Sequence, residues 1–75
     1  MQADKVLREI IAREGLSPTR VSVEMGHARN YINTFYSTKR MPQVDTMAAI
    51  LDACGYDLQA ISRDDGFTFT IDPPV

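Results

Sequence analysis

Seventy-five residues, 44% apolar and 24% charged with both signs mixed, make one small domain and exclude a disordered polyelectrolyte. One cysteine, Cys54, and one histidine, His27, exclude an internal disulfide and a clustered zinc site, so neither metal nor cofactor is expected. A core of this size contributes about 3–5 kcal/mol, and with those two staples excluded a partner chain is the expected remedy.

The net charge of −2 conceals an asymmetry. Residues 1–40 carry seven bases and four acids, whereas residues 41–75 carry one base and six acids. The local field within a Debye length, about 10 Å, is what a polyanion senses, so the first half would meet it and the acidic half would face away. No run of 18 apolar residues occurs, and the N-terminus lacks the charged-then-apolar pattern of a signal peptide. A cytoplasmic chain without membrane contact is expected. Without a phosphate-cradling glycine loop or a paired acid and base, no enzyme activity is expected either.

Val6, Leu7, Ile10 and Ile11 recur at helical spacing and predict a first helix over residues 3–14. Asp4/Arg8 and Glu9/Arg13 stand four apart on its exposed face, acid first, and Gly15 ends it. Ser17 is placed to cap a second helix with Pro18 at its first position and Leu16 as a staple onto Val21. Gly26 interrupts that helix after Met25, and a third periodic stretch, Ile32, Phe35 and Tyr36, begins almost at once, so the two helices must cross steeply. Beyond the basic loop Ser37–Pro42, a fourth helix carries Val44, Met47, Ala48, Leu51 and Cys54 on one stripe and ends at Gly55. Cys54 is expected to be a buried core thiol.

The period then changes to two. Tyr56 through Ser62 and Phe67 through Ile71 alternate about a turn at Arg63–Gly66, predicting two strands, and Asp72-Pro73-Pro74 ends the second. An isolated hairpin is marginal in water, so the side bearing Phe67, Phe69 and Ile71 must pack on the helices or on another chain.

The gapless segment from Gly15 to Met47 resembles the Cro/repressor-type helix-turn-helix family, often called XRE. The resemblance is carried by Leu16-Ser17, Val21, Met25, Gly26, Ile32 and Lys39-Arg40 with Pro42 ahead of the fourth helix, and it extends over about residues 5–56. It implies a mainly α fold: a four-helix, lambda-repressor-like helix-turn-helix domain over residues 1–56, with residues 57–75 as a C-terminal strand or hairpin. It also implies a second helix across the DNA backbone and a third in the major groove. By that match Ala28, Arg29, Asn30, Asn33 and Thr34 face the bases, while Ser17, Thr19, His27, Tyr31, Lys39 and Arg40 meet the backbone. Arg29 suits guanine O6 and N7, and Asn30 or Asn33 suits adenine N6 and N7. Where the family often carries glutamine this chain has Pro18, where it favours a Ser or Thr cap on the third helix it has Ala28, and where it prefers a small apolar residue it has Ser22. The Ser22 hydroxyl has a carbonyl one turn back to bond.

Helix-turn-helix proteins usually present two recognition helices about 34 Å apart, so a homodimer is expected on a second ground. Tyr56, Leu58, Ala60, Ile61, Phe67, Phe69 and Ile71 are its candidate interface. The function these residues favour is a dimeric transcriptional repressor of a prophage or of its own operon, bound to double-stranded DNA at a palindromic operator. Two alternatives stand beside it: an antitoxin that also binds a basic toxin through its acidic end, and an adaptor that has lost DNA and binds only protein.

Overall fold

The computed structural model describes residues 1–38 and 40–74. Four helices, α1 (Ala3–Arg13), α2 (Pro18–Glu24), α3 (Tyr31–Thr38) and α4 (Val44–Ala53), are followed by an antiparallel hairpin of β1 (Leu58–Ile61) and β2 (Thr68–Ile71). The core joins Leu7 and Ile11 of α1, Val21 of α2, Ile32 of α3 and Met47, Ile50 and Leu51 of α4, with Cys54 just past α4. Burial pushes the Cys54 thiol above its ordinary value. Val44 departs from the expected stripe: it is 59% exposed at the first position of α4, while Ile50, outside that stripe, is fully buried.

Local chemistry sets the helix ends. The Ser17 hydroxyl accepts the Arg20 amide at 3.0 Å, capping α2 with Pro18 in its first turn, where a missing N–H costs nothing. At the other end Gly26 takes φ +80°, which lets its own N–H reach the Val23 carbonyl (2.9 Å) and that of His27 reach the Ser22 carbonyl (3.0 Å). The same paired bonds close α1, from Gly15 to Ala12 and Leu16 to Ile11, and α4, from Gly55 to Asp52 and Tyr56 to Leu51. This last use of the Tyr56 amide keeps Tyr56 outside the strand the alternation predicts for it.

Two further expectations are corrected. Arg8 does not pair with Asp4, since its guanidinium lies 4.2 Å from the centre of the Tyr36 ring. Arg13 donates to the Tyr56 hydroxyl at 3.0 Å, and that hydroxyl donates to Glu14 at 2.9 Å, so Glu9 is not its partner. Glu14 is the main reason the Tyr56 phenol titrates above its ordinary value. Among the described residues the i,i+4 ion pair that forms is Arg20–Glu24, at 3.2 Å.

The hairpin register pairs Leu58 with Ile71 and Ala60 with Phe69, which puts these four on one face, with Gln59, Thr70, Ile61 and Thr68 on the other. Ser62 and Phe67 close the turn through a 2.8 Å backbone bond. Leu58 packs against the helical core, whereas Phe67 and Phe69, with ring centres 5.1 Å apart, are 61% and 69% exposed. The base of the apolar face is therefore satisfied within the chain, and its outer end is not.

Candidate nucleic-acid interface

α3 starts two residues later than the Ala28 cap implies. Ala28 accepts the Tyr31 amide in a tight turn at 3.0 Å, and Asn30 supplies the first helical acceptor, to the Thr34 amide at 2.9 Å. Arg29 and Asn30 thus sit in the turn that enters α3, with Asn33 and Thr34 in its first turn. All four are exposed. Behind them Ile32 is fully buried and Phe35 and Tyr36 are half-buried against the core, so the helix is anchored from one side and free on the other.

A helix start leaves its first amides without intrahelical acceptors. Here the amide of Ile32 donates to the hydroxyl of Ser22 at 3.1 Å, and that hydroxyl donates to the Pro18 carbonyl at 2.7 Å. The bond to Pro18 is the one the sequence predicts. The bond to Ile32 joins α2 to α3 across ten positions, and spacing gave no signal for it. Ser22 has no exposed surface, and its bond to the Ile32 amide is buried in the seam between the two helices.

Ala28, Asn30, Tyr31, Thr34, Phe35 and Arg40 line one open depression of about 260 Å³. Tyr31 is fixed on both sides, stacked on the His27 ring (centres 3.9 Å apart, planes 10° apart) and meeting the Phe35 edge at 5.3 Å. The structure thus brings three of the five expected base-facing residues together with Tyr31 and Arg40, and sets His27 alongside. Arg29 and Asn33 are exposed outside the depression. Ser17 and Thr19 stay at the start of α2, where the Ser17 oxygen serves as a cap and its proton remains available to a ligand. Lys39 lies outside the described residues.

Hydroxyl geometry adds two residues that motif matching overlooked. Thr34 donates to the Asn30 carbonyl at 2.8 Å, while Ser37 (3.3 Å) and Thr38 (2.6 Å) both donate to the Thr34 carbonyl. Ser37 and Thr38 extend the exposed polar side of α3 by one turn, a position their spacing from Asn30 and Thr34 already marks. Among the described residues, no hydrogen bond or ion pair engages the side chain of Arg29, Asn30, Asn33 or Arg40. No helix of the described residues is long and apolar enough to cross a membrane.

Comparison with protein-family models, with curated proteins and with solved structures returned no match. What the chain does must therefore be argued from this geometry.

Proposed function

We propose that the chain is a sequence-specific DNA-binding repressor that acts as a homodimer on a palindromic operator, with α2 and α3 forming a lambda-repressor-like helix-turn-helix. One observation carries this role: the amide and guanidinium groups of Arg29, Asn30, Asn33 and Arg40 are all unengaged by the described residues, around a helix start that is anchored from behind by Ile32 and Ser22. Groups left without internal partners at the entry of a rigid helix suit the donors and acceptors of a major groove. Arg29 would take guanine, Asn30 or Asn33 adenine, and Arg40 a phosphate.

The hairpin supports the dimer. Neither strand carries a charge or a proline, and the register is regular, so three of the devices that normally blunt an exposed edge, charge, proline and a bulge, are missing from β1 and β2. A second copy related by a two-fold axis would cover Phe67 and Phe69 and present two recognition helices to two half-sites.

Selection of duplexes from a random pool with the purified chain tests the role. The expected product is a two-fold symmetric site with half-sites about one helical turn apart and a steep loss of affinity with salt. Failure to retain any duplex at low salt would favour the protein-binding adaptor instead.

A further inference from the structure

We infer that the depression beside α3 reads the 5-methyl group of a thymine, one in each half-site, an inference that rests on the DNA-binding role proposed above. Its walls are the Ala28 methyl, Thr34 and the rings of Tyr31 and Phe35, with Asn30 and Arg40 supplying its polar groups. Of the four bases, only thymine shows an apolar group in the major groove. A mostly apolar recess next to unengaged amides therefore selects for that edge rather than for a donor or an acceptor.

Three details fit this occupant. Thr34 has its hydroxyl proton committed to the Asn30 carbonyl, so it offers a ligand its γ-methyl and no donor. Tyr31 is held between His27 and Phe35, so the wall is formed before binding and costs little further ordering. The 5-position of a pyrimidine lies on the backbone side of the groove, where a guanidinium on the same recess, that of Arg40, can meet the phosphate of the same strand. Among the described residues no carboxylate lines the recess to oppose it.

The test uses the full chain and its selected duplex, with each thymine replaced singly by deoxyuridine, a change that removes the methyl and nothing else. One thymine per half-site should lose affinity about fourfold, the effect of one buried methyl group. Thr34→Ser keeps the hydroxyl bond to Asn30 and removes the γ-methyl, so this variant should bind the thymine and uracil duplexes within about twofold of each other. The inference is overturned, with DNA binding left standing, by a preferred half-site without thymine, by equal affinity for every uracil duplex, or by a Thr34→Ser chain that keeps the full penalty. A chain that selects no duplex at all overturns both.

Discussion

The Ser22 hydroxyl and the Ile32 amide, ten positions apart, meet at 3.1 Å with no exposed surface on either residue. This bond fixes the start of α3 relative to α2, and so decides which way Asn30, Asn33 and Thr34 point. A small apolar residue in place of Ser22 would fill the seam but leave a buried amide without an acceptor. Ser22→Ala should therefore destabilise the fold by about 1–3 kcal/mol, the usual penalty for a buried donor that loses its partner. Urea unfolding would show this as a lower midpoint with an unchanged slope.

Gly26 sets the other side of the same turn. A Cβ there would meet nothing within 4 Å, so substitution costs only what the backbone at φ +80° imposes on an L residue. Gly26→Ala should lower stability by about 1–2 kcal/mol. A destabilisation larger than that in thermal unfolding would mean the turn is packed more tightly than its surroundings indicate.

Arg40 and Arg29 should separate affinity from specificity. Arg40→Ala is expected to weaken binding to all duplexes alike and to flatten the plot of log affinity against log salt by about one. Arg29→Ala should relax the preference at one base pair, a discrimination of about 1–3 kcal/mol. Unchanged sequence preference in Arg29→Ala, measured by repeating the duplex selection, would remove this residue from the reading face.

Phe67 and Phe69 leave the outer end of the hairpin apolar and uncovered. Replacing both by serine should turn a dimer into a monomer at micromolar concentration in sedimentation, with the helical circular dichroism retained because neither ring belongs to the helical core. A parent chain that already sediments as a monomer would refute the proposed interface.

Asp65 makes the hairpin sensitive to acid. The Phe67 amide donates to its carboxylate at 3.0 Å, and this bond, helped by the Ser62 side chain, holds the carboxyl below its ordinary value of 3.8. A carboxyl that ionises more readily in the folded turn than in the open one contributes fully above that ordinary value and loses its contribution as pH falls through the depressed one. The protection factor of the Phe67 amide, the exchange rate of an open chain divided by its own at the same pH, should accordingly fall in that acid window, and Asp65→Asn should flatten the profile.

Much of the architecture is legible in the chain because its causes are local. The Ser17 cap with Pro18, the glycines that end three helices and the switch from a period near 3.6 to a period of two each depend on partners within about one or two turns. Asn33 and Thr34 are legible as exposed side chains of α3 for the same reason, whereas Ala28, Arg29 and Asn30 fall in the turn ahead of it. What escaped the sequence involves partners further away. Arg8 lies over Tyr36 rather than beside Asp4, Tyr56 leaves the strand to close α4 and bridge Arg13 and Glu14, and Val44 yields its place in the core to Ile50.

The sequence by itself determined where helices and strands exist and which half of the chain carries positive charge, since capping, periodicity and composition act between near neighbours. Only the tertiary structure decided that α3 begins at Tyr31 under a bond from Ser22, that six residues from the turn, α3 and Arg40 share one recess, and that Phe67 and Phe69 remain uncovered. These outcomes depend on how separate elements settle against one another, because a buried amide must find an acceptor wherever packing supplies one, and an apolar face stays exposed when its own chain has no surface left to cover it.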